Sequence, residues 1–253
     1  MTITTAPHIK RLASALIMVI GLTASALAQG WPAPRPAAPE RTARVQYISG
    51  EVSVAPKDTN QWTNARVYQT LTPAEYIWTA KDSRVELSVG YGFIRMNSEA
   101  SVTLTALNRS TVQIGVNQGE VSLTILHLFP GEIYEIDTPN ATLTATKAGV
   151  YRVEVHPNDD QTIVTARKGA IVATGGGSAV TLKSGEQMLL RGGNSLQHTW
   201  GAAPPRDGFE DWASVRDQRL GANRPPFAFG VGVGPWPYGA AVPPPPPPPP
   251  YYH

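Results

Sequence analysis

A glycine phrase recurs three times along this chain and limits what it can fold into. Ser49-Gly50-Glu51-Val52-Ser53-Val54 returns as Gln118-Gly119-Glu120-Val121-Ser122-Leu123, and more loosely as Lys168-Gly169-Ala170-Ile171-Val172-Ala173. Each copy is a glycine turn that leads into alternating apolar residues, the pattern of a half-buried strand. The alternation continues through Val45/Tyr47, Val85/Leu87/Val89, Val102/Leu104/Ala106, Val112/Ile114/Val116, Ala141/Leu143/Ala145, Tyr151/Val153/Val155 and Val164/Ala166. Gly, Asn-Asp or Pro separates most of these runs. Such spacing predicts an all-β domain over 44–200, a sandwich, barrel or β-solenoid of stacked short strands in the solenoid or jelly-roll manner. The expected core is Val52, Val85, Leu87, Leu104, Ile114, Val121, Leu123, Leu143, Tyr151, Val153 and Val155.

A second phrase marks turns. Leu128-Phe129-Pro130-Gly131-Glu132-Ile133 matches Leu182-Lys183-Ser184-Gly185-Glu186-Gln187, with Leu71-Thr72-Pro73-Ala74-Glu75-Tyr76 as a degenerate third. Each is expected to fold one coil of chain back onto the next, so that the stack buries a core no single coil buries alone.

The flanks differ in texture. Lys10 and Arg11 precede an apolar run from Leu12 to Thr23, and Ala26 and Ala28 supply the small residues of a cleavage site. Residues 1–28 therefore read as a secretory signal peptide, the run being short for a membrane span of ~20 residues. Residues 29–43 read as a Pro/Ala linker. Residues 206–221 read as a helix, with Asp207 as N-cap and Glu210 three residues on. Its Phe209 and Trp212 are expected to dock on the β domain through an apolar surface. Residues 222–253, with eight prolines from Pro243 to Pro250, have no means of building a core and read as a disordered Pro/Gly-rich tail with a polyproline segment.

Charge narrows the partners. The chain has 21 Lys+Arg and 19 Asp+Glu, and removal of the signal leaves 19 of each. No basic stripe stands out, so no nucleic-acid partner is expected. There is no cysteine, which removes disulfides, thiol catalysis, thiolate metal sites and a cysteine-linked lipid anchor. The expectation is an exported protein, periplasmic or extracellular, without a stable membrane anchor once the signal is cut.

Candidate chemistry is sparse. His127, His156, His198 and His253 are scattered, and only a strand pair bringing His127 to His156 would start a metal site. Asn158-Asp159-Asp160 offers oxygen ligands but reads better as a solvated hairpin turn. Thr174-Gly175-Gly176-Gly177-Ser178 lacks the Lys-Ser/Thr of a phosphate loop and reads as a flexible hairpin. Glu86, Glu120, Glu132, Glu135, Asp137 and Glu154 lie in or beside strands, where carboxylates ordinarily face water; a hydrolase pair among them is the weakest reading. Trp62, Tyr68, Tyr76, Trp78 and Tyr91 could line a sugar-binding face, though core or rim placement is the commoner fate of such residues. No catalytic, cofactor-binding or metal-ligating residue is assigned.

The run from Pro130 to Ala141, followed by Ala148-Gly149-Val150-Tyr151-Arg152-Val153-Glu154-Val155, Thr162 to Gly169 and Leu182 to Gln187, resembles the FecR domain. The resemblance extends over roughly Arg44 to Arg219, with Thr138-Pro139 to Val155 its most specific part. The best-understood members sit in the inner membrane; a cytoplasmic N-terminus controls a sigma factor and a periplasmic domain senses a transporter. Here a signal peptide stands in place of a cytoplasmic region, so sigma-factor control is not carried over. The resemblance implies a non-enzymatic, extracytoplasmic β domain serving as a protein-interaction or structural module, with a sensory role open to it, without cofactor, its envelope partner unidentified. The alternative is an envelope carbohydrate- or peptidoglycan-binding protein.

Overall fold

A computed structural model describes residues 41–222, apart from 57, 58, 60 and 194. The signal peptide, most of the linker and the tail lie outside the described residues. In chain order the strands are β1 (Ala43–Ser49), β2 (Val52–Pro56), β3 (Thr63–Asn64), β4 (Thr70–Leu71), β5 (Glu75–Thr79), β6 (Arg84–Val89), β7 (Gly92–Met96), β8 (Ser101–Leu107) and β9 (Thr111–Ile125). There follow β10 (Ile133–Asp137), β11 (Thr142–Ala145), β12 (Gly149–His156), β13 (Gln161–Lys168), β14 (Ala170–Gly175), β15 (Ser178–Lys183), β16 (Glu186–Arg191) and β17 (Gln197–Ala202). One helix, α1 (Gly208–Ala222), closes the described chain.

These strands form two packed layers. Sheet 1 runs β4-β1-β6-β7-β9-β12-β13-β16-β17, all antiparallel. Sheet 2 runs β3-β2-β5-β8-β9-β10-β11-β14-β15, antiparallel except for the parallel pair β9/β10. The long strand β9 belongs to both. Its first half pairs with β8 and β10, its second with β7 and β12. Val112, Ile114 and Val116 reach the core from sheet 2, and Val121, Leu123 and Ile125 reach it from sheet 1. All eleven residues expected in the core are buried there, none above 3% exposed.

Both recurring phrases turn out to be corners where the chain passes from one sheet to the other. Gly50 joins β1 to β2, Gly119 bends β9, and Gly169 joins β13 to β14. Gly119 shows why a glycine is required: its φ is +82°, and an added Cβ would lie 2.5 Å from the Cα of Ala100. The second phrase has its own lock. Glu132 Oε2 accepts from the Phe129 N–H at 3.0 Å, and Glu186 Oε2 from the Lys183 N–H at 2.7 Å. Glu75 does the same for Thr72. Each carboxylate satisfies a backbone donor that the corner would otherwise leave unpaired.

The Gly-x-Tyr element has a corner role as well. Tyr151 is fully buried, and its hydroxyl accepts from the Ala170 N–H at 3.0 Å while donating to the Lys147 carbonyl. It thereby ties β12 to the Gly169 crossing.

One local reading needs correction. Tyr47 does not follow Val45 into the core, because the register shifts between them against β6 and turns Tyr47 to the outer face. The solvated hairpin turn expected at Asn158-Asp159-Asp160 does connect β12 to β13, and Asp160 ties it to neighbouring loops. Asp160 sits at φ +48° after a 3-10 turn at Pro157–Asp159, accepting from Asn140 Nδ2 at 2.7 Å and from the Gly192 N–H at 3.2 Å.

Candidate functional site

The outer face of sheet 1 carries a row of charged side chains. The register places Tyr47 (β1), Glu86 (β6), Arg95 (β7), Ser122 (β9) and Arg152 (β12) side by side. A parallel row holds Arg84, Asn97, Glu120 and Glu154. On an open sheet these would be ordinary solvent-facing positions. Here α1 lies over them, reaching β1, β6 and β7 on one flank and β9, β12 and β13 on the other.

Helix entry is fixed by Asp207, whose Oδ1 accepts from the N–H groups of Phe209 and Glu210, both at 3.0 Å. One stripe of the helix is aromatic. Phe209 is buried and stacked on Trp212 at 5.7 Å between centroids, and Trp212 lies 5.6 Å from Tyr47. The surface beneath them is a guanidinium as much as a core: Arg84 stands 5.7 Å from the Phe209 ring and 5.5 Å from the Trp212 ring. The apolar seat expected for these aromatics is thus a mixed one.

The other stripe is ionic. Arg95, with no exposed surface, donates to Glu86 at 2.7 Å, Thr124 at 3.0 Å and Asp217 at 2.8 Å. Arg216 holds both oxygens of Glu86, at 2.7 and 2.8 Å, and lies 4.5 Å from the Tyr47 ring. Arg152 meets Glu120 at 2.8 Å, Glu154 at 3.1 Å, Asp207 at 2.6 Å and Glu210 at 3.1 Å. Arg167 grips Glu210 and the Pro204 carbonyl. It is the extra residue where β13 shifts register against β12, and the bulge aims it at the helix.

This packing sets the acidities. Burial pushes the Glu86 carboxyl up, but the Arg216 hydrogen bonds and the charges of Arg95 and Arg216 outweigh it, leaving Glu86 below its ordinary value. Glu120 goes the other way. Burial lifts it to about 7; Arg152 and Asn97 pull it back only in part, and Asp207 and Glu154 push it further up. The reason is that one guanidinium, Arg152, serves four carboxylates. Beside α1 a cleft of about 380 Å³ remains open, lined by Ser122, Val150, Lys168, Ala213 and Gln218 among others. Glu120 does not line it.

The structure separates most of the residues singled out in the sequence. β9 and β12 do pair, but antiparallel, so His127 and His156 stand at opposite ends of the pair. His127 instead joins an exposed cluster with Phe129 at 4.0 Å and Tyr91 at 6.3 Å. Tyr76 and Trp78 share the outer face of sheet 2, whereas Trp62 and Tyr68 lie in exposed connections. Among the described residues none of the five first-half aromatics makes a ring contact with another of the five. Glu135 and Asp137 both accept from Gln113, at 2.9 and 2.8 Å. Gly176 and Gly177, both at positive φ, close the β14/β15 hairpin. Among the described residues no three His, Cys, Asp or Glu side chains converge as metal ligands. The ionic roles of Arg84, Arg95, Arg152 and Arg167 carry no sequence signal of their own. Only the outward parity of the first three pointed to that face.

Comparison with known proteins finds one family and two solved structures that are similar to part of this chain. The family model described as FecR protein matches residues 75–172, so that stretch of the chain is similar to the FecR family. The match runs from β5 into β14, leaving the outer strands and α1 beyond it. Two crystal structures, at 1.65 and 2.50 Å, of a Parabacteroides distasonis protein provisionally assigned as an anti-sigma factor are similar at 14% identity. The first covers 50% of this chain and 59% of its own with a TM-score of 0.44; the second covers 55% and 63% with 0.46. This chain thus spans about three fifths of the length of those structures. A search of curated proteins finds no match.

Proposed function

We propose that the protein is a non-enzymatic, exported module of the cell envelope that acts by binding another protein, in a regulatory or sensory role. The similarity to the FecR family over residues 75–172 carries this reading. The use of charge supports it: the buried ions of sheet 1 are engaged in gripping a helix, the task of an interaction surface. The sheet edges are also suited to it. One end of the sandwich finishes on two-residue strands, β3 and β4, while the other finishes on six-residue strands, β15 and β17. Edges of that length accept an added strand from a partner. Export rests on Lys10, Arg11, the apolar run and the Ala26/Ala28 pair. Among the described residues no helix is long and apolar enough to cross a membrane.

The test is cross-linking in cells followed by purification from an envelope extract, with fractionation and N-terminal sequencing of the product. A discrete protein partner and a chain lacking residues 1–28 are expected. Finding the mature-length chain only in washed membranes would refute an exported product free of a membrane anchor. Retention on peptidoglycan or polysaccharide, without a protein partner, favours the second reading, which rests on Tyr76 and Trp78 side by side on the outer face of sheet 2.

A further inference from the structure

Resting on the reading of this protein as an interaction module, we propose that α1 is a displaceable plug. The charged face of sheet 1 beneath it is then a docking site for an acidic amphipathic helix of a partner protein, which takes the place of α1. The face reveals its own complement. Arg152 and Arg167 receive Glu210, and Arg95 receives Asp217, so the docked helix offers two carboxylates seven residues apart. That spacing places them on one stripe. Phe209, Trp212 and Arg216 form the second stripe, over Arg84, Tyr47 and Glu86. The ligand is therefore a helix of pattern Phe-Glu-x-Trp-x-x-x-Arg-Asp, or one that reproduces its charges.

Three observations make the helix a plug rather than a fixed part of the core. Among its described side chains only Phe209, Glu210 and Ala213 are buried, and Val215 is 44% exposed. The cleft of about 380 Å³ beside it is unfilled, so the contact lacks the close packing of an interior. Its charged anchors to the sheet are ion pairs that an incoming helix of like charge can remake one for one. The opposite constraint holds for the face itself. Arg95 is fully buried beneath the seated α1, where Glu86 of the sheet and Asp217 of the helix share its charge. A helix that leaves is best replaced by one of the same chemistry. The Pro204-Pro205 connector keeps the displaced helix nearby, so a partner competes with an intramolecular ligand at high effective concentration.

The experiment uses the full chain and a labelled synthetic peptide of residues 207–222, read by fluorescence anisotropy. Glu210→Ala with Asp217→Ala weakens the resident helix, and this variant should bind the peptide at least about tenfold more tightly than the unaltered protein. The peptide carrying Glu210→Lys and Asp217→Lys should not bind, and about 0.5 M NaCl should abolish the signal. Equal binding by both proteins, or equal binding of the charge-reversed peptide, overturns the proposal. So does dimerisation of the variant in place of peptide binding, since the occupant would then be a second copy. If the variant fails to fold, hydrogen exchange on the unaltered protein decides. Amides of 211–217 should exchange at least about a hundredfold faster than those of β9 and β12. Equal protection would make α1 part of the cooperative core and end the idea. Failure of the peptide with a partner cross-linked elsewhere leaves the interaction reading standing, and absence of any protein partner in the envelope removes that reading instead.

Discussion

Arg95 and Asp217 lie 122 residues apart in the chain and 2.8 Å apart in the fold. The pair fastens a C-terminal helix to the middle of a sheet, and its guanidinium has no exposed surface. Replacing Arg95 with Met leaves Glu86 to Arg216 alone and Asp217 to the Thr124 hydroxyl. Removing one member of a buried ion pair costs about 3–5 kcal/mol. Lifting α1 would return both carboxylates to water, which caps the loss near the lower end of that range. Arg95→Met should therefore lower the melting temperature by on the order of 10 °C. An unchanged melting curve would mean that the network contributes nothing.

Gly119 and Gly185 share a left-handed backbone, with φ of +82° and +84°, but not their surroundings. A Cβ on Gly185 would meet nothing within 4 Å, whereas one on Gly119 would meet the Ala100 backbone at 2.5 Å. Gly185→Ala should cost only the backbone strain, about 1–2 kcal/mol. Gly119→Ala adds a collision that no rotamer relieves, and should destabilise by several kcal/mol or prevent folding. Urea denaturation of the two variants should preserve that order. The reverse order would contradict the role given to the β9 bend.

Tyr151→Phe keeps the ring in the core and removes one oxygen. The Ala170 N–H then loses its acceptor beside the Gly169 crossing. Leaving a buried donor unpaired costs about 1–3 kcal/mol. The variant should fold with an unchanged far-ultraviolet spectrum and unfold at lower urea concentration. No shift in the midpoint would show that the hydroxyl bond is dispensable.

The corners were legible because glycine at a positive φ and a glutamate three residues past its backbone donor are local devices that the chain repeats. The core was legible because period-two burial leaves alternation in the sequence, as at Tyr151, Val153 and Val155. What was not legible arises from contacts between distant segments. Glu86, Arg95 and Arg152 occupy outward strand positions, where charge ordinarily signals water. Only α1, more than fifty residues beyond Arg152, turns them into a buried network. Tyr47 was misread for a different reason. A single shift of register against β6 reverses its face, and nothing in the local sequence of Val45 to Tyr47 marks it. The histidine question turned on strand direction: His127 and His156 bracket a paired β9 and β12 that run opposite ways.

Stability should depend on pH in two opposing ways, and Glu120 isolates one of them. Its carboxyl is raised from an ordinary 4.5 to about 7 by burial, incompletely offset by Arg152 and Asn97. Between those values the folded state holds a proton that the unfolded chain has released. Stability contributed by that proton therefore declines as pH rises, and is gone above about 7. Glu86 and Asp207, both held low, act in reverse: their contribution is present above the ordinary carboxylate range and is lost as pH falls through their folded values. The unaltered protein should thus be most stable in mild acid. Glu120→Gln keeps the neutral form at every pH. Its melting temperature should match that of the unaltered protein near pH 5 and exceed it near pH 8, by an amount corresponding to about 2–3 kcal/mol. A Glu120→Gln variant less stable than the parent at pH 8 would show that the ionised carboxylate is favoured in the fold, with Arg152 attracting it more strongly than burial opposes it.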